Sequence, residues 1–285
     1  SERDAYQEGS FMTTTLGQPG FFTPHHANPW LSATGARTAT SYYDTEPLRQ
    51  TLLELVDFDM INEKRIRFAV GAVNVLSGNF IYFDNAHDEI IPEHIMASGA
   101  LPPALPMVKV GTDHFWDGGI VSNTPLQHLL DQEDSLNSLV FQVDLFSARG
   151  RMPCNLGEVA ERSKDIQFAS RTRLNTDLVA AQQKLTRAAQ NLAARLPARF
   201  ANDPDLIALL NAGSPAAVTI VHLIHRSKHY ETQSKDYEFS RHTVREHWEA
   251  GRADAEMSLK SRSLCTRGRP LAGIRVFDLT PAAET

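Results

Sequence analysis

Asp117 is the residue of this sequence whose setting is best suited to chemistry. It follows an aromatic-rich strand end at His114–Trp116, and two glycines, Gly118 and Gly119, come directly after it. Glycines let the backbone turn sharply and let another segment approach closely. A carboxylate on such a turn at a strand end is well placed to hold a hydrogen bond in a pocket. Asp-Gly-Gly alone also fits an ordinary turn, so the surroundings of Asp117 decide its role.

Strands joined by tight turns and short helices are predicted around Asp117. Strands are predicted over 66–75, 80–83 and 139–145, with a hairpin over 107–116 that turns at Gly111. Helices are predicted over 91–98, over 124–130, and after the N-cap Thr45 with Pro47 in the first turn. Residues 1–40 are expected to form a long loop able to cover a pocket. The alternation of strands and helices predicts an α/β layered fold.

The second half of the chain has a different, more helical character. Apolar residues recur at spacings of 4 and 3 from Leu174 to Leu192, which predicts a long helix over about 156–195. We favour packing of this apolar seam against its own domain over a dimerising coiled coil, and a homo-oligomer stays open. Further strands are predicted over 218–224 and 274–279, and a charged helix over 241–259.

Composition narrows the class of protein. The chain has 285 residues, 42% hydrophobic content and a formal net charge of −6, which favours a globular fold. An acidic balance without a basic stripe argues against nucleic acid as a partner. No apolar run is long enough for a transmembrane helix. We expect a cytoplasmic protein, with peripheral membrane contact left open.

The cysteines and histidines give no metal-ligand pattern. Cys154 and Cys265 lack a CxxC partner, so two free thiols are favoured over a disulfide. His225 and His229 have helical spacing, but a predicted strand precedes them and no carboxylate accompanies them; His25, His26 and His222 are weaker still. No metal site is therefore predicted. Asp144 is interpreted as a satisfied strand-end residue, and 84–85 as a turn.

Residues 95–126 contain three short motifs in a fixed order: Ala-Ser-Gly-Ala-Leu-Pro at 97–102, Trp-Asp-Gly-Gly at 116–119 and Asn-Thr-Pro at 123–125. This order resembles the patatin-like phospholipase family. In that family Ala-Ser-x-Ala-x-Pro precedes a hairpin ending in Asp-Gly-Gly or Asp-Gly-Ala, and Asn-x-Pro opens the next helix. Residues 70–83 look like the preceding strand pair of the family. Residues 220–248 are similar to the C-terminal extension of one bacterial branch.

The resemblance implies a three-layer patatin-like α/β sandwich, here incomplete, with a helical C-terminal extension. Residues 1–150 would be the C-terminal part of the catalytic domain, and 151–285 a helix-rich extension with added strands. It implies a lipid acyl hydrolase that uses a Ser–Asp dyad, no catalytic histidine and no cofactor. Carried over to this sequence, Asp117 is the general base, and Gly118 and Gly119 shape its turn.

The chain departs from the family at the nucleophile. The family's serine lies in Gly-x-Ser-x-Gly, and its oxyanion hole in a glycine-rich N-terminal loop; neither motif occurs here. Ser77 and Ser98 lie near glycines but lack the leading glycine, and Ser98 matches a structural position of the family. We therefore expect the nucleophile on an N-terminal segment or chain that is cleaved, separately encoded or omitted. This chain alone is expected to be inactive.

Two functional classes remain open at this stage. The first is part of a lipid or ester hydrolase that needs the Gly-x-Ser-x-Gly partner segment. The second is a non-catalytic patatin-like binding or regulatory module, although such a module has no chemical need for Asp117. The acyl donor stays open among phospholipid, lysolipid, simple ester and polyester.

Overall fold

A computed structural model describes residues 2–121, 126–130, 137–211, 217–225, 238–261 and 274–278. The chain divides into two compact units. The first comprises Ser1–Asn123 with Ser234–Thr243, and the second comprises Thr124–Gln233 with Val244–Thr285. The division of the family domains at residue 150 stays a prediction.

The first unit contains the hairpin that leads to Asp117. Its elements are α1 Glu2–Leu16, β1 Thr23–Pro24, 3-10 helices Pro29–Leu31 and Arg37–Ala39, β2 Tyr43–Asp44, α2 Glu46–Leu55, α3 Phe58–Asn62, β3 Ala69–Asn74, β4 Phe80–Asp84, α4 Pro92–Ser98, β5 Val108–Val110, β6 Asp113–Asp117 and a 3-10 helix Gly118–Ile120. Thr45 is the N-cap of α2 as predicted, but the carboxylate of Asp44 accepts the hydrogen bond from Glu46 N.

The expectation of a loop at the start of the chain is wrong for residues 2–16, which form α1. The helix ends at Leu16 because Gly17 adopts a left-handed φ of +81° and its N–H donates to Thr13 O. Gly9 lies inside the helix, and a Cβ there would collide with the carboxylate of Glu238. The glycine and threonines within α1 have low helix propensity, so the sequence favoured a loop there. Residues 234–243 return to this unit, where the Phe239 ring lies 6.0 Å from that of Phe21.

Four antiparallel strands in the order β4-β3-β6-β5 form the sheet of the first unit. Both predicted hairpins are confirmed, because Gly78 and Gly111 occupy the turns with φ of +70° and +60°. The α4 helix packs on this sheet. The core that they share consists of Ala72, Phe83, Ile90, Met96, Ala97, Ala100, Val108 and Phe115.

Three parallel strands in the order β7-β8-β9 form the sheet of the second unit. Its elements are α5 Leu126–Leu130, β7 Ser138–Asp144, α6 Leu156–Ala193, a 3-10 helix Ala198–Phe200, α7 Pro204–Asn211, β8 Val218–Ile224, α8 Arg241–Lys260 and β9 Ile274–Asp278; the first three residues of α8 belong to the first unit. These strands and the long helix α6 confirm the α/β class with a helical C-terminal part.

The second unit leaves apolar side chains exposed on two elements. On β7, Leu139, Phe141 and Val143 on one face are exposed. The apolar seam of α6 was expected to pack against its own domain, yet the side chains of Leu178, Leu185 and Leu192 are also exposed. The periodicity of these residues identified the element correctly, but it did not tell which face of each element packs inward.

Candidate active site

Asp117 ends β6 and is the N-cap of the 3-10 helix that follows. Its backbone is held from two sides. Asp117 pairs with the fully buried Ala72 of β3, and its N–H donates to Ala100 O at 3.0 Å. The structure therefore brings the predicted strand pair and the Ala-Ser-Gly-Ala segment against Asp117, and the order of motifs along the chain becomes a local three-dimensional arrangement.

The carboxylate of Asp117 is half-buried and only partly satisfied. Its Oδ1 accepts a hydrogen bond from Gly119 N at 2.7 Å, and Oδ2 accepts none from any described residue. Burial raises the pKa of Asp117, because water solvates the anion less well, and the bond from Gly119 offsets part of that rise. A carboxylate with a raised pKa is a stronger base, so Asp117 is suited to removing a proton from a weakly acidic group.

Gly118 is required by a close backbone approach. A Cβ at this position would lie 2.5 Å from Gly71 O and 2.7 Å from Gly71 C. Gly71 itself faces the ring of Phe80, which leaves no room for a side chain on either glycine. The two glycines therefore let β3 and the Asp117 turn touch directly. Gly119 contributes the N–H that orients the carboxylate.

Ser98 is the last residue of α4, next to the segment whose Ala100 accepts the hydrogen bond from Asp117 N. The predicted Asn-Thr-Pro opening of the next helix, at 123–125, lies outside the described residues. The helix itself is present as α5, Leu126–Leu130.

A contact between Ser41 and His25 was not foreseen from the sequence. The Ser41 Oγ lies 3.1 Å from His25 Nε2 and also 3.0 Å from Tyr43 O. A hydroxyl has one proton, so a bond donated by Ser41 to the carbonyl requires the imidazole to donate to Ser41. Ser41 is only 3% exposed. The pair therefore stabilises the loop at β2 and offers no accessible nucleophile. The contact was not predicted because 16 residues separate Ser41 from His25 and the two belong to no recognisable motif.

The other polar candidates have structural roles in the described residues. Asp84 forms an ion pair with Arg67 at 2.7 Å and, with Asn85, makes the predicted turn. The Asp144 carboxylate is buried and accepts a hydrogen bond from Phe146 N at 3.0 Å, in agreement with its interpretation. The His225 ring lies 4.9 Å from that of His247.

The described residues contain no group of three or more potential ligands placed to hold a metal ion. Cys154 is an exposed free thiol, while Cys265 and His229 lie outside the described residues. Among the helices that the structure describes, none combines the length and the apolar character needed to cross a membrane.

The described part of the chain is an α/β scaffold that presents an Asp-Gly-Gly turn beside an Ala-Ser-Gly-Ala segment, and comparison with family models indicates its relatives. Residues 8–130 match a family model described as patatin-like phospholipase, and residues 166–270 match a second one described as patatin phospholipase. Both models describe patatin phospholipases, and the two matches together span most of the chain. No curated protein gives a significant match.

Proposed function

We propose that this chain is the base-bearing part of a lipid acyl hydrolase, in which Asp117 activates a serine supplied by a Gly-x-Ser-x-Gly segment. The observation that carries the proposal is the state of the Asp117 carboxylate. One oxygen is held by Gly119 N, no described residue donates to the other, and burial raises the pKa. That second oxygen is the one available to take a proton from the serine.

In the proposed reaction, Asp117 takes the hydroxyl proton as the serine oxygen attacks the ester carbonyl. The tetrahedral intermediate then collapses, the carbon–oxygen bond to the alcohol breaks, and Asp117 returns the proton to that alcohol. Water attacks the acyl-serine by the same route, with Asp117 accepting one proton from water and restoring one to the serine. The fatty acid leaves, and both residues return to their starting state.

The serine must come from outside this sequence, because no serine here follows a glycine at the spacing of Gly-x-Ser-x-Gly. The second unit supports a missing partner segment. Within the described residues β7 pairs only with β8, and its Leu139, Phe141 and Val143 side chains are exposed. An unpaired strand edge with an exposed apolar face is a site where another strand adds. Without that segment, we expect the chain to hydrolyse no ester.

The test is Asp117→Asn in the chain combined with a Gly-x-Ser-x-Gly segment, assayed on a short-chain nitrophenyl ester and on a phospholipid. Asparagine keeps the shape and can accept the bond from Gly119, but it cannot serve as a base. Loss of a general base lowers the rate by about 10²–10⁴-fold. Asp113→Asn is the matched control, because Asp113 is an exposed aspartate on the same strand, and we expect it to leave the rate unchanged.

Retention of more than about a tenth of the activity by Asp117→Asn would show that Asp117 is not the base. A fluorophosphonate probe on the chain alone provides an independent check. Stoichiometric labelling of a serine in the isolated chain, whether Ser98 or Ser41, would show that the nucleophile is present here. It would overturn the proposal that a separate segment supplies the serine. Inactivity with every Gly-x-Ser-x-Gly segment would favour a non-catalytic binding or regulatory module.

A further inference from the structure

One face of α6 carries leucines that are exposed in the part of the chain that the structure describes. Leu178, Leu185 and Leu192 follow one another at intervals of seven residues and are 64%, 68% and 53% exposed. Ala181 and Ala188 lie between them in the sequence and are exposed as well. An interval of seven keeps side chains on the same side of a helix. We call these five residues the leucine face.

Residues of another kind make the buried face of α6. Gln183, Thr186 and Ala189 are buried, and α6 packs against α7. A helix that only needed to pack on its own domain would turn its leucines inward and its glutamine outward. Because α6 does the reverse, its leucines stay exposed among the described residues and can meet another apolar surface.

The charge around the leucine face indicates which surface that is. From residue 178 to residue 202 the chain has the cations Lys184, Arg187, Arg195 and Arg199, with Asp177 directly before this stretch and Asp203 directly after it, although the net charge of the chain is −6. On a helical wheel of α6, Lys184 and the acidic Asp177 adjoin the leucine face on one side, and Arg187 lies further round; Arg195 and Arg199 lie beyond the end of the helix. A second copy would bring two cationic segments together, whereas an anionic bilayer neutralises them and takes up the leucines.

We propose that the leucine face docks α6 onto an anionic lipid surface, with the helix lying in the plane of the interface. The leucines enter the boundary between headgroups and acyl chains, and the flanking lysine and arginines contact lipid phosphates. The inference rests on the proposed function only in that it supplies a lipid acyl hydrolase with a means of reaching its substrate. Docking itself requires neither Asp117 nor a nucleophile.

The test is sedimentation of the full chain with vesicles, which reads binding and not hydrolysis. Vesicles of phosphatidylcholine alone are compared with vesicles containing about one third phosphatidylglycerol. We expect binding to the anionic vesicles and its loss at high salt. Replacing Leu178, Leu185 and Leu192 together by alanine keeps a good helix former at each position, and we expect binding to fall by at least about tenfold. Lys184→Gln and Arg187→Gln should each weaken binding by roughly fivefold.

A matched control is the triple alanine variant at Leu53, Leu55 and Leu76, which are also exposed leucines but lie in the first unit. We expect this control to bind vesicles as the parent chain does. Failure of the parent chain to bind anionic vesicles, or an equal loss in the control, would overturn the proposal. So would conversion of a dimer into a monomer by the α6 variant in analytical ultracentrifugation with vesicle binding intact, because the leucine face would then pair two copies. Vesicle binding together with an inactive Asp117 site would refute the proposed function alone.

Discussion

Replacing Gly118 by alanine tests whether the close contact between β3 and the Asp117 turn determines the site. A Cβ added here would meet Gly71 O at 2.5 Å, Gly71 C at 2.7 Å and Phe80 Cε2 at 3.1 Å. Real Cβ atoms essentially never approach other heavy atoms closer than 3.0 Å. The first two contacts are backbone atoms of a paired strand, so they cannot be relieved by a change of rotamer. The two backbones must separate by roughly half an ångström or more.

Separation on this scale is expected to cost about 1–3 kcal/mol of the free energy of unfolding. It also moves Gly119 N relative to Asp117 Oδ1, which are 2.7 Å apart, so activity should fall further than stability alone explains. Phe80→Ala should not rescue Gly118→Ala, because the Gly71 backbone contacts remain. Gly71→Ala should differ, because the atoms that its Cβ would meet all belong to the Phe80 ring. Phe80→Ala should therefore restore part of the stability that Gly71→Ala loses.

Urea unfolding of each variant measures these differences, with nitrophenyl ester hydrolysis of the reconstituted enzyme as the second readout. Gly99→Ala is the control at the same site, because Gly99 has a φ of −108° and its Cβ would come no closer than 3.9 Å to Ile95 O. We expect that change to stay within about 0.5 kcal/mol. The reasoning fails if Gly118→Ala is as stable as Gly99→Ala, or if Phe80→Ala rescues Gly118→Ala as well as it rescues Gly71→Ala.

Two further predictions concern stability. Because burial raises the folded-state pKa of Asp117, its ionisation costs stability that is present at low pH and lost as pH rises through that pKa. Asp117→Asn should therefore raise the free energy of unfolding at neutral pH, and this gain should vanish below the ordinary pKa of an aspartate. Urea unfolding of the variant and of the parent chain measures the difference, and a difference that does not change with pH would contradict the prediction. Asn85→Ala should cost about 3 kcal/mol or more, because Asn85 is 1% exposed and bonds Ile61 O, Ile66 O and Phe68 N. The exposed Asn79→Ala serves as its control in thermal and urea unfolding, and equal losses would refute the assignment.

Local signals in the sequence predicted the elements that hold Asp117, because each signal lies inside the element it specifies. The glycine turns at Gly78 and Gly111 fix both hairpins, and Pro92 begins α4. The helix α1 was missed because the glycine within it is explained by Glu238, which lies more than two hundred residues away in the sequence. The outward direction of the leucines on α6 depends equally on distant packing, which a periodic pattern does not contain.

The hydrogen bonds at Asp117 hold this residue in the orientation that the proposed Ser–Asp dyad requires. Ala72, Ala100 and Gly119 hold the residue by backbone pairing and two hydrogen bonds, and all three belong to the first unit. The carboxylate is therefore oriented before any serine arrives, and its burial makes the anion costly until it can take a proton. A serine brought to Oδ2 would supply that proton. The same burial that destabilises the isolated chain at neutral pH thus favours the first step of the proposed reaction. Asp117→Asn should therefore raise the free energy of unfolding at neutral pH and, at the same time, abolish ester hydrolysis.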